Sequence, residues 1–213
     1  MALITISRMY GSGGSEVAER VARALGWSLL DNAFVDAVAE RLGVTPAEIS
    51  AREERVPSLV ERIGEALALG SPEMLPASAD ATLPPSEERI LEVTRRVIDE
   101  AVARGPVVLV GRGAQSFLAE RADALHVFCY APPDALARRA ARRLGLSLEQ
   151  AKKVVEDTNR GREQYVKKHF DRSWLRHANY HVCVNTEWLG IDGAAELVVR
   201  LARERFAAGY AAG

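Results

Sequence analysis

The sequence predicts a doubly wound α/β domain, a parallel sheet with helices on both faces. Three observations carry that prediction. Five short apolar runs recur along the chain, at Leu3–Ile6, Ser28–Leu30, Val107–Val110, Leu125–Tyr130 and His181–Val184. Segments of helical periodicity separate them. The runs are nearly continuous in apolar residues instead of alternating, as expected for strands buried on both faces. With 213 residues the chain has material for one sizeable core, and 48% hydrophobic and 27% charged residues are ordinary for a globular protein.

The helices follow in order. Val17, Val21 and Leu25 mark the first, and Phe34, Val38 and Leu42 the second. Ile90, Leu91, Val97, Ile98 and Ala101 mark a long helix before the third strand. Leu136, Ala140 and Leu144 mark the next. Ser147 with Gln150 reads as a capping box opening another helix, whose end is expected near Arg160–Arg162. Ala194, Leu197, Val198 and Leu201 mark the last. One region has no strand. From Val44 to Ser86 two short helical patterns, Pro46–Glu54 and Leu59–Leu69, precede a tail rich in Pro, Ser and Ala. This reads as a helical insertion into one domain spanning residues 1–213, with a mobile or irregular loop at 70–86.

Bulk properties narrow the function classes. A net charge of −1 gives no overall attraction to polyanions, and no recognition helix is apparent, so nucleic acid is not an expected partner. No apolar run approaches the ~18 residues that span a bilayer and no signal peptide is visible, so a cytoplasmic protein without membrane contact is expected. Cys129 and Cys183 each lie in an apolar run and read as buried thiols. His126, His169, His177 and His181 show no metal-ligand spacing and read as structural, as do Trp174 and Tyr180.

In a sheet of this kind ligands bind beyond the carboxyl ends of the strands. After the first strand comes SRMYGSGGSE, then a helix. Glycines Gly11, Gly13 and Gly14 let backbone N–H groups converge on a phosphate at a helix N-terminus, Ser12 and Ser15 can add hydroxyl contacts, and Ser15 can reach a metal ion on the phosphates. Against G-x-x-x-x-G-K-[ST], Gly13 takes the second glycine and Ser15 the hydroxyl position, but Arg8 stands at the first glycine and Gly14 at the lysine. A Gly-rich turn joining strand to helix is the plain alternative. Asp31 after the second strand reads as a substrate or metal-water ligand, as a helix N-cap, or as both. Arg112, between Gly111 and Gly113 after the third strand, can hold a phosphate bidentately or be a surface residue of a tight turn. Arg138 with Arg142 and Arg139 with Arg143 share helix faces, where an anion would relieve their repulsion, although for any one of them a solvated helix face is the plainer reading. Arg160, Arg162, Lys167 and Lys168 form a basic cluster able to close over a polyphosphate or merely to solvate a helix.

Taken together, ITISRMYGSGG, WSLLDNAFV, VVLVGRGAQ, HVFCYAPPDALARR and YHVCVNTEWLGIDGAAELVVRLA resemble the cytidylate kinase-like family, over nearly the whole chain and in the same order. The resemblance implies a P-loop kinase fold, five parallel strands in order 2-3-1-4-5. It implies that residues 44–86 bind the acceptor, that roughly residues 150–172 form a lid, and that the reaction moves the γ-phosphoryl of ATP, with Mg²⁺, to CMP or dCMP. It puts Gly11, Ser12, Gly13, Gly14 and Ser15 on the phosphate loop, Ser15 towards the metal of Mg-ATP, Asp31 near the nucleoside, Arg112 on the acceptor phosphate, and Arg160 and Arg162 in the lid. Three departures stand out besides the lysine. Val110 and Gly113 replace both carboxylates of the family's D-G-R-D segment, and Gly161 replaces a lid aspartate. Arg8 is expected to supply the cationic charge of the missing lysine and so to be catalytic with Arg160 and Arg162. A regulatory nucleotide-binding module and a kinase of another small molecule on the same fold are the competing readings. The sequence does not define an oligomeric state.

Overall fold

A computed structural model describes residues 2–46 and 86–210. Strands β1 (Leu3–Arg8), β2 (Ser28–Leu30), β3 (Val107–Val110), β4 (Ala124–Tyr130) and β5 (Val182–Asn185) form one sheet in the order β2-β3-β1-β4-β5. Every pairing is parallel, with Ile6 opposite Val110 on one side and Val127 on the other. All five expected strands are present within two residues of their expected ends, in the order the family resemblance implied.

Helices cover both faces. On one, α1 (Gly14–Leu25) packs against the last helix, α7 (Thr186–Tyr210), over Ile4, Ile6, Val108 and Val127. On the other, α2 (Asn32–Leu42) and α3 (Glu87–Arg104) pack over Leu3, Val107 and Leu109. The stripes read from the sequence are the buried ones: Val17 and Val21 in α1, Val38 in α2, Ile90, Val97 and Ile98 in α3, Ala194 and Val198 in α7. The side chain of Phe34 lies outside the described residues, as do residues 47–85. The two helical patterns expected in the insertion and nearly all of its Pro-rich tail therefore fall there too.

A short α4 (Ala114–Phe117) follows β3. After β4, α5 (Pro133–Leu144) and α6 (Leu148–Phe170) pack on each other. α6 opens with the expected capping box: Ser147 accepts from the Gln150 N–H and Gln150 accepts from the Ser147 N–H. Its end is not where the sequence reading put it. Gly161 is buried inside the helix, which runs on to Phe170 and stops at Asp171 in the left-handed region. The apolar contacts of Val155 and Val166 offset the helix penalty of one glycine, about 1 kcal/mol.

Candidate active site

The loop after β1 is set by what presses on it. Ser12 is fully buried, and its N–H and hydroxyl both donate to the Met9 carbonyl, at 3.1 and 2.8 Å. The Ser12 carbonyl in turn accepts from Thr186 Oγ1 at 2.6 Å and Arg139 Nη1 at 2.9 Å. The Ser12 hydroxyl is thus engaged inside the loop. Gly11 has φ +82°, and a Cβ there would lie 2.6 Å from the Leu136 carbonyl oxygen of α5. Backbone lies against backbone, and no side chain fits. Gly13 has φ +76° and caps α1, whose first-turn N–H groups open onto a cleft.

Gly14 is glycine for a different reason. A Cβ on it would overlap Cβ of Arg8 and come within 2.9 Å of its Cγ. The Arg8 stem fills the space above Gly14, and its guanidinium lies against Gly111, where a Cβ would also collide with it. Positions 8 and 14 cannot both carry side chains on this backbone.

The parallel order β2-β3-β1 brings three strand ends together. Arg8 lies 3.8 Å from Asp31, both largely shielded from solvent. Asp31 stands at the N-cap position of α2 without a side-chain cap bond, and it lines the cleft. Arg112 stands at φ +55°, an uncommon conformation for a residue with a side chain. Burial, then the neighbouring charges of Arg8 and Arg162, pull its pKa down to about 10, so it remains cationic near neutrality. Arg162, from α6, donates from Nη1 to the Arg8 carbonyl at 2.8 Å.

The resulting cleft of about 550 Å³ is lined by Gly11, Gly13, Gly14, Ser15, Glu16, Tyr10 and Asp31 and by Arg8, Arg112, Arg139, Arg142, Arg143 and Arg162. Among the described residues six guanidinium groups face two carboxylates here, a charge balance that favours an anion. Two expected arginines are elsewhere. Arg160 is exposed on the outside of α6 and pairs with Asp157 at 3.5 Å. Helical phase accounts for the split, since residues two apart on a helix point about 200° apart. Arg138 leaves the cleft to pair with Glu187 at 3.0 Å.

Sequence reasoning missed several contributors. Tyr10 is covered by the guanidinium groups of Arg143 (4.8 Å) and Arg162 (5.8 Å), and its N–H donates to Asn159 Oδ1 at 2.8 Å. Thr186 reaches Ser12 across 174 positions. No local pattern announces such contacts. Of the remaining expectations, Trp174 and Tyr180 do pack, around Phe128 at 5.3 and 4.8 Å. His126 and His181 stack at 5.0 Å within the scaffold, and no three-ligand metal cluster occurs among the described residues. Cys129 is buried, but Cys183 is exposed because β5 is an edge strand. Among the described residues no helix is long and apolar enough to cross a membrane.

Comparison with known proteins agrees with this geometry. The chain is similar to an uncharacterized protein from Eubacterium ventriosum (TM-score 0.68, 17% identity, covering 95% of this chain and 98% of that one). It is similar to shikimate kinase from Bacteroides thetaiotaomicron (TM-score 0.51, 18% identity, 94% and 97% covered). At these identities the likeness is one of fold, that of the P-loop small-molecule kinases. A cytidylate kinase from Ignicoccus hospitalis is 28% identical over 206 residues, 94% of this chain and 99% of that protein. The model of the cytidylate kinase-like family matches residues 3–188, and the chain with its five-stranded 2-3-1-4-5 sheet belongs to that family.

Proposed function

We propose that this protein is an ATP-dependent kinase of a small phosphorylated acceptor, with CMP or dCMP the first acceptors to test. The observation that carries the reading is the position of Arg8. Its stem occupies the place that forbids a side chain at Gly14, and its charge lies between the phosphate loop and Arg112. The cation that a P-loop lysine would bring from position 14 is brought from position 8. The phosphates of ATP lie on the N–H groups of Gly11 and of Gly13, Gly14 and Ser15 at the start of α1. Arg139 holds the Ser12 carbonyl, which keeps that loop shaped for them.

Mg²⁺ is a hard cation that takes oxygen ligands, and Ser15, with Asp31 through a bound water, offers them in the same cleft. When bound it neutralises charge on the transferring phosphates. In the transfer an oxygen of the acceptor phosphate bonds to Pγ and the bond from Pγ to the bridging oxygen breaks, releasing ADP. The acceptor oxygen is already nucleophilic, so no residue need act as base. Arg112 orients the acceptor phosphate, and Arg8 and Arg162 stabilise the charge that spreads over the transferring group. The reading of α6 as the lid rests on Arg162, which faces the cleft, and gives Arg160 no role in catalysis. Residues 44–86 are proposed to complete the acceptor side.

The test is ADP release with ATP, Mg²⁺ and a panel of nucleoside monophosphates. Turnover should peak on CMP or dCMP and fall by about 10²-fold or more in Arg112→Ala. ATP bound in a parallel titration with no turnover on any acceptor would instead make the protein a nucleotide-binding module.

A further inference from the structure

Beyond the three arginines that the cleft shares lies a smaller cavity of about 60 Å³. Arg8, Arg112 and Arg162 bound it on one side and Tyr165, Trp174 and Tyr180 on the other. A buried water needs roughly 10–15 Å³ of such space, so the cavity takes a group the size of a phosphoryl but not a nucleoside. Among the described residues no carboxylate lines it. Gln115, also in its wall, is committed to the Asn179 carbonyl at 2.8 Å.

Tyr165 is the residue this cavity leaves unexplained. Its hydroxyl is buried and has no hydrogen-bond partner among the described residues. A buried hydroxyl without a partner is costly, and such groups are uncommon in native proteins. Its ring is held firmly, 4.7 Å from His169 and 6.2 Å from Phe170. It also lies 3.5 Å from where a Cβ on Gly113 would be, with Phe170 at 2.7 Å. The two rings therefore fill the room beside Gly113. Burial pushes the Tyr165 pKa up to about 12, so the phenol is a neutral donor that brings no repelling charge.

We propose that Tyr165 is a positioning residue for the acceptor: it donates its O–H to the acceptor's phosphoryl group, held in this cavity beside Arg112 and Arg162. The site thereby holds its acceptor by the anionic group. The proposal rests on the phosphotransfer reading, but its core, an anion site completed by Tyr165, can be tested without turnover.

The experiment is calorimetric titration of inorganic phosphate into wild type and Tyr165→Phe, with and without saturating Mg·ADP, alongside melting curves of the free proteins. Tyr165→Phe keeps the ring and removes only the unpartnered hydroxyl, so its Tm should be equal or higher. Phosphate affinity should fall about tenfold, with Mg·ADP affinity unchanged. In turnover assays the variant should raise KM for CMP far more than it lowers kcat. A merely structural tyrosine would move neither phosphate affinity nor KM. Equal phosphate affinity in the two proteins, or no phosphate binding by wild type, overturns the proposal whatever the turnover. Phosphate binding that depends on Tyr165 while Mg·ADP fails to bind would uphold this site and sink the kinase reading.

Discussion

The phosphate loop and the wall of arginines facing it are built by different means. The loop is made of backbone. Gly11 is fixed by the Leu136 carbonyl, Gly13 by its φ of +76°, and Gly14 by the base of the Arg8 side chain, so an added Cβ meets backbone, conformational strain or a side-chain stem. The wall is made of long side chains anchored one by one: Arg162 on the Arg8 carbonyl, Arg139 on the Ser12 carbonyl, Arg143 over the Tyr10 ring. A backbone site fails abruptly when one atom is added. A side-chain site loses function by degrees, because each guanidinium can be shortened or removed without moving the fold.

The largest effect should come where the two regions meet, at positions 8 and 14. Arg8→Ala should lower turnover about 10³-fold with little change in Tm, as expected for losing a cation on a transferring phosphoryl group. Gly14→Lys, which restores the lysine of the usual P-loop text, should be inactive and should also unfold more easily, because its Cβ overlaps the Arg8 stem. Arg8→Gly combined with Gly14→Lys removes the overlap and returns the charge. The double variant should recover at least tenfold over either Arg8→Ala or Gly14→Lys alone. Steady-state rates on wild type, Arg8→Gly, Gly14→Lys and the double variant form a cycle. Purely additive losses would show that Arg8 does not stand in for the lysine.

A smaller effect separates crowding from backbone strain. Gly113→Asp restores the carboxylate that the family segment carries, but its Cβ would lie 2.7 Å from the Phe170 ring at φ +68°. It should cost about 2–3 kcal/mol in urea denaturation. Gly26→Ala is the control: φ +67°, with nothing within 4 Å, so only strain of about 1 kcal/mol remains. Equal costs at the two sites would mean that α6 does not press on Gly113.

How much of this could be read from the sequence follows the same division. The strands and the loop glycines were readable, because buried parallel strands and backbone turns leave local patterns. Arg8 was readable as a departure from a motif. Its collision with position 14 was not, since that needs the three-dimensional placement of a strand end over a helix start. Arg160 and Arg162 looked equivalent in a cluster. Only the continuation of α6 past Gly161 shows that one faces the cleft and the other faces solvent. Tyr165 gave no signal, because an unpartnered hydroxyl becomes visible only when everything around it is known.

Both regions rest on β1 and β4, and the smallest effect should arise there. His126 on β4 meets Thr5 Oγ1 on β1 at 2.7 Å through Nδ1 and stacks on His181. Burial, then the charge of His181 and those of Arg172 and Arg205, lowers the His126 pKa to about 4 from 6.5. Between those two values the unfolded chain binds a proton that the folded protein does not. Stability should therefore fall as pH drops from 6.5 towards 4, and this residue should add no further loss below that. The ring is buried, and between pH 7 and pH 4.5 the loss should be about 2 kcal/mol. His181, whose pKa is also lowered by burial, acts in the same direction. Denaturation curves at pH 7 and pH 4.5 should show this loss in wild type and a smaller one in His126→Gln. An identical acid loss in the variant would place the acid sensitivity elsewhere than under the strands that carry the site.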